Sequence, residues 1–184
     1  MREDKDKKKV LLTALAKWAE CELFCIVTFI FYAFVSKALG KAAHVIFGLV
    51  CLALVFCIMA DFSLKQGYSA NKGVKAGTLK ECRSFGLAMG FAASLPTYIC
   101  FLLLLLSANG VIGNFYPAYK LINSMFAPAV NVFAITADAA KLSAAQLVGI
   151  GLLPLVFPIV SWIGFKLGYD DTDLVKKFVY KSSK

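Results

Sequence analysis

The chain has 184 residues, of which 60% are hydrophobic and only 17% charged, and its mean hydropathy is +0.74. Soluble domains run at about 45–50% apolar and about 25% charged, so composition excludes an ordinary water-soluble globule and points to lipid as solvent. The net charge of +9 would suggest nucleic acid in a soluble protein, but here the lysines flank apolar blocks, where anionic lipid is the partner that fits and nucleic acid is not.

Residues 1–18 begin with a run that is nearly all charge and continue through the short apolar stretch Val10–Ala16. They are expected to form a cytoplasmic tail and an interfacial helix, with Trp18 at headgroup level. The first span is predicted over 19–36, because Leu23–Val35 carries no charge, and Lys37 and Lys41 mark its far end. The second runs over 42–62 and closes on Asp61 and Lys65. A basic loop, 63–84, follows, with Gly67, Gly73 and Gly77 as turn positions. The third span is 85–107 and the fourth 144–167, the latter carrying Pro154 and Pro158. A cytoplasmic tail, 168–184, ends the chain. Each block meets the requirement of about 20 apolar residues for about 30 Å of hydrocarbon. Within lipid every backbone N–H and C=O needs an internal partner, so the blocks are helices.

Between the third and fourth spans lies the connection 108–141, which is rich in apolar residues. Reading it as a fifth span would bury Lys120, Asn123, Asn131 and two prolines, and a central charge alone costs about 2.5–3.5 kcal/mol. It is therefore expected to be an outer-face interfacial or re-entrant helical element, broken at Pro117 and Pro128. The distribution of Lys and Arg agrees. Sixteen of the twenty lie in the N-terminal segment to Lys17, in Lys65–Arg83 and at the C-terminal end, against Lys37, Lys41, Lys120 and Lys141 elsewhere. The positive-inside rule then places both termini in the cytoplasm of a cell membrane. The expected fold is a single, all-α integral membrane domain with four transmembrane helices, N-in and C-in.

Few residues carry a pattern that chemistry would need. Glu20 and Glu22 are candidates for transport or coupling, since carboxylates within membranes mark proton and cation paths. Two residues apart, they sit about 200° apart on a helix and face different ways. Both fall near the cytoplasmic boundary, where Lys17 can pair with Glu20 at i,i+3. Asp61 is the third candidate, with Lys65 at i,i+4 to offset its unfavourable place at a helix C-terminus. Gly86, Gly90 and Ser94 form a row of small residues along the third span, and Gly164 with Gly168 forms another, so both are expected to mark close helix packing. Tyr116, Tyr119, Asn123 and Asn131 crowd the outer connection and would supply any outer-face binding surface. Lys72, Lys75, Lys80 and Arg83 could hold lipid headgroups at about 1 kcal/mol each.

The six cysteines contain no C-x-x-C pair, and His44 is the one histidine. No G-x-S-x-G or H-E-x-x-H sequence is present, and Asp170, Asp171 and Asp173 lack the spacing of a calcium loop. No catalytic, cofactor-binding or metal-binding set is assigned. Two functions stay open: a non-catalytic membrane subunit or accessory protein that binds a partner, a second copy or lipid, and a small transporter or channel with Glu22 or Asp61 on a proton- or cation-coupled path.

Overall fold

In the computed structural model, residues 2–170 are described, with side chains from Lys7 onward; most of the expected tail 168–184, including Lys176, Lys177, Lys181 and Lys184, lies outside the described residues. All regular structure among the described residues is helical. Four stretches are long and apolar enough to cross a membrane: Lys7–Leu39, Lys41–Lys75, Phe85–Ala108 and Ala144–Tyr169. Large apolar side chains such as Phe24, Phe31, Phe34, Leu102 and Ile159 are exposed around the bundle. Such extensive apolar exposure has no place in water and matches a lipid-facing surface. Composition, helix length and exposure together describe a multi-pass membrane protein.

Helix α1 spans Arg2–Leu39 without interruption, and α2 spans Lys41–Lys75. Gly40, with φ of 53°, makes the tight reversal between them. The helical charge-rich start of α1 is continuous with the apolar run, so there is no separate interfacial turn. Trp18 Nε1–H donates to Thr97 Oγ1 at 3.0 Å. Thr97 lies twelve residues into α3, which spans Phe85–Ala108, or about 18 Å along it at 1.5 Å per residue. Trp18 is thus level with the middle of α3 and not with its end, as a headgroup position would require.

Helix α2 extends well past the expected boundary at residue 62. Residues 65–75 read as polar loop, but Gly67, Tyr68 and Ala70 are helical, and Gly67 packs on α7 (Val156–Tyr169). The helix stops at Gly77, whose φ of 70° lets Thr78 N–H reach Gly73 O at 2.9 Å and Gly77 N–H reach Val74 O at 3.0 Å. This is a Schellman ending, which needs a left-handed residue after the cap. Gly110 closes α3 in the same way.

Two short helices, α4 (Tyr116–Ile122) and α5 (Ala127–Phe133), occupy the connection, each with Pro in its first turn. A 3-10 turn, Ala139–Lys141, leads to α6 (Ala144–Leu152), which starts at a capping box: Gln146 N–H donates to Ser143 Oγ at 3.3 Å, and Ser143 N–H to Gln146 Oε1 at 2.9 Å. The fourth stretch is interrupted by a 3-10 turn at Leu153–Leu155, centred on Pro154, before α7 begins. A proline there removes one N–H and tightens the turn.

The most extensive contact in the bundle is between α2 and α7, followed by α3 with α7. Small residues make both possible. A Cβ on Gly67 would overlap Phe165 O, and one on Gly168 would overlap Leu64 O. Gly164 lies over Ala60 and Ser63, Gly90 against Pro158, and Gly86 against Ser161 and Phe165. Ser94 is buried in α3 and donates to Phe91 O at 3.0 Å. The two rows of small residues thus meet partners within this one chain, and Gly67 joins them.

Candidate functional site

The polar groups of the spans gather where α4 and α5 meet α1. The ends of this pair lie side by side: Asn114 Nδ2–H donates to Ala137 O at 2.7 Å, Ala139 N–H donates to Asn114 Oδ1 at 3.0 Å, and Tyr116 O–H donates to Ala134 O at 2.8 Å. The segment therefore runs out and back as a helical hairpin. Its bend, Asn123–Phe126, is buried throughout.

Glu22 holds that bend. Its Oε2 accepts from Ser124 Oγ–H at 2.6 Å and from Ser124 N–H at 3.1 Å, across 102 positions of sequence. The Ser124 N–H, at a bend between two helices, has no helical carbonyl to donate to, and the carboxylate satisfies it. The Met125 amide also faces the carboxylate, while Oε1 has no partner within hydrogen-bond geometry. Two further buried oxygens nearby, Tyr119 OH and Asn123 Oδ1, are likewise unpartnered. Cys100 of α3 lies beside Asn123. Glu22 is 6% exposed and one helical turn beyond Trp18, so it lies well inside the bundle, past the level of the middle of α3.

Farther along α5, Asn131 Nδ2–H donates to Tyr32 OH at 2.6 Å, and that hydroxyl also bonds His44 Nδ1 at 2.9 Å. Gly48 of α2 packs directly on Ala129. On the α4 side, Lys120 Nζ donates to Thr136 O at 3.2 Å and lies 4.0 Å from the centre of the Tyr116 ring. Carbonyl and ring face together stabilise an ammonium that is half-buried.

The other expected residues are arranged differently. Glu20 pairs with Lys17 on a partly exposed side of α1 and does not approach Glu22's partners. Asp61 pairs with Lys65 at 2.7 Å, both of them exposed, and takes no part in the Glu22 cluster. Tyr116, Tyr119 and Asn123 are fully buried within the hairpin and its contacts, and Asn131 is half-buried with its amide on Tyr32 of α1. Lys72, Lys75, Lys80 and Arg83 are exposed at the end of the bundle where α2 stops and α3 starts; Arg83 Nε–H donates to Glu81 Oε1 at 2.9 Å, and its guanidinium lies over the Tyr169 ring.

Sequence reading missed Ser124, Thr97 and the Tyr32–His44 pair. The break between two Pro-initiated helices was the available signal for Ser124, because the chain there has free amides to satisfy. Nothing local distinguishes Thr97 or Tyr32 from ordinary span residues. Among the described residues, no three His, Cys, Asp or Glu side chains gather to hold a metal ion and no disulfide joins the cysteines, with Cys25 and Cys51 in contact across α1 and α2.

Cavities among the described residues lie elsewhere. One, of about 680 Å³, lies at the basic end between α1, α2, α3 and α7; another, of about 270 Å³, is a wholly apolar hollow beside Pro158 and Trp162. Neither is lined by Glu22 or Asp61. Comparison of the chain with protein-family models, with curated proteins and with solved structures finds no match in any of the three.

Proposed function

We propose that this protein is a non-catalytic membrane subunit or accessory protein, threaded four times through a cell membrane with both ends in the cytoplasm, that binds lipid or a membrane partner. The observation that carries the reading is the use of Glu22: the most deeply placed acid of the spans accepts two hydrogen bonds from a hairpin bend, and neither cavity described above touches it. A carboxylate in that position fixes architecture. In this reading α4 and α5 form a re-entrant hairpin that opens to the outer face, with its bend near mid-membrane, since Glu22 is one turn beyond the residue level with the middle of α3. Non-helical backbone is tolerated at that depth where protein covers it and satisfies its amides. The lysine-rich end of the bundle then faces the cytoplasm, in line with the positive-inside rule.

A second reading, a small proton- or cation-coupled transporter, is favoured by one observation: Glu22 Oε1, Tyr119 OH and Asn123 Oδ1 are unpartnered in the same buried region, and intramembrane acids often mark ion paths. Flux measurements separate the two. In liposomes loaded with a pH- or sodium-sensitive dye, the purified protein is expected to leave proton and monovalent cation leakage at the level of protein-free vesicles. Leakage above that level that disappears in Glu22→Gln would replace the subunit reading with the transport one.

A further inference from the structure

The bend that Glu22 holds leaves buried oxygens without donors. Glu22 Oε2 takes both hydrogen bonds from Ser124, and Oε1 has no partner. Asn123, the residue before that serine, donates its amide to Tyr119 O at 3.1 Å, which leaves its Oδ1 unpartnered. The Tyr119 hydroxyl, one turn earlier on α4, has no partner either. All three side chains are more than nine-tenths buried. Tyr119 and Cys100, which lies beside Asn123, are both within electrostatic reach of the carboxylate. A buried carboxylate is costly to ionise without a positive partner. Lys17, the cation nearest to Glu22 in sequence, is paired with Glu20 on another side of α1.

We propose that Glu22 Oε1, Asn123 Oδ1 and Tyr119 OH form a site for a resident monovalent metal cation of the sodium type, which ties α1 to the bend of the hairpin. The chemistry of the three groups selects the ligand. All are oxygens, which suit a hard cation and not a soft one. Together they carry one formal negative charge, which a single positive charge balances. A proton on Glu22 would neutralise that charge but leave Asn123 Oδ1 and the Tyr119 hydroxyl as they are, whereas one cation is shared by all three. The inference rests on the reading of Glu22 as an acid that fixes architecture: the ion stays with the protein and is not cargo.

Thermal unfolding of the full chain in detergent, with sodium chloride replacing choline chloride at constant ionic strength, tests the site. For a dissociation constant of about 10 mM, about 150 mM sodium in place of choline raises the melting temperature by about 3–6 °C. Glu22→Gln keeps an acceptor for Ser124 and loses the charge, so it is expected to melt alike in the two salts. Tyr119→Phe removes a hydroxyl that has no partner in the fold, so a purely structural role leaves the sodium response unchanged. As a ligand, its loss raises the sodium concentration needed for half the effect several-fold. This variant carries the test if Glu22→Gln does not fold. Asp61→Asn, in an exposed pair, keeps the parent's response. Equal melting of the parent in sodium and choline overturns the proposal, as does a sodium response left intact by either Glu22→Gln or Tyr119→Phe. Stabilisation by acid alone, the same in both salts, assigns the positive group to a proton and also overturns it. Sodium flux into liposomes is scored separately. A sodium response without flux supports the resident ion, whereas flux that disappears in Glu22→Gln replaces the subunit reading and leaves the ion site in place.

Discussion

Glu20 and Glu22 illustrate how far one residue's fate is written locally. Their two-residue separation already assigns them to different faces of α1, and the pairing of Glu20 with Lys17 follows from i,i+3 spacing alone. Nothing local says that Glu22 meets a serine 102 positions away, because that contact exists only once a broken hairpin brings an unsatisfied amide to it. The same asymmetry sets the expected effects of mutation. Glu22→Ala leaves the Ser124 amide and hydroxyl buried without an acceptor, and is expected to lower stability by about 1–3 kcal/mol. Glu22→Gln keeps one acceptor oxygen and loses much less. Asp61→Asn disturbs an exposed pair at the surface of α2 and changes stability by less than about 1 kcal/mol. Denaturant titration of the detergent-purified variants, followed by circular dichroism, ranks the three; equal losses for Glu22→Ala and Asp61→Asn would contradict the role given to the hairpin bend.

The four long apolar stretches were legible as elements, since length and hydropathy alone identify them. Their ends were less so. Residues 65–75 are polar and glycine-containing, which reads as loop, yet α2 persists to Lys75. Tertiary contact overrides local preference there: Gly67 is a site of close approach to α7 and not a turn, and of Gly67, Gly73 and Gly77 only Gly77 has the left-handed backbone of one. The rows Gly86–Gly90–Ser94 and Gly164–Gly168 were legible as contact surfaces because absent side chains have a periodic signature. Their partners were not, because spacing fixes a face and not what covers it. Gly168→Val therefore forces α7 away from α2 by overlap with backbone, and is expected to cost about 1–3 kcal/mol or more. Gly113→Ala, at a position with open space and ordinary backbone, is expected to leave the melting temperature of the detergent-purified protein within about 1–2 °C of the parent, since surface changes away from special features stay within about 0.5 kcal/mol. A thermal scan of the two variants checks the contrast.

For the whole molecule, the lysine and arginine asymmetry was the sequence property with the longest reach, since it constrains every loop at once. It is directly testable with a membrane-impermeant maleimide on intact cells. Val111→Cys, in the exposed turn after α3, is expected to label from outside, and Thr78→Cys, in the connection after α2, only after permeabilisation. The reverse pattern would invert the threading. The pairing of α2 with α7 has a consequence for how the protein is made. These two helices run in the same direction through the bundle, with Ala60 beside Gly164 and Leu64 beside Gly168, contacts 104 positions apart in the chain. During synthesis α1, α2 and α3 are complete while the groove that Gly67 opens has nothing to fill it. The nascent protein must therefore wait for its last helix, and a ribosome that stops short of Gly168 releases a chain whose seam is still open.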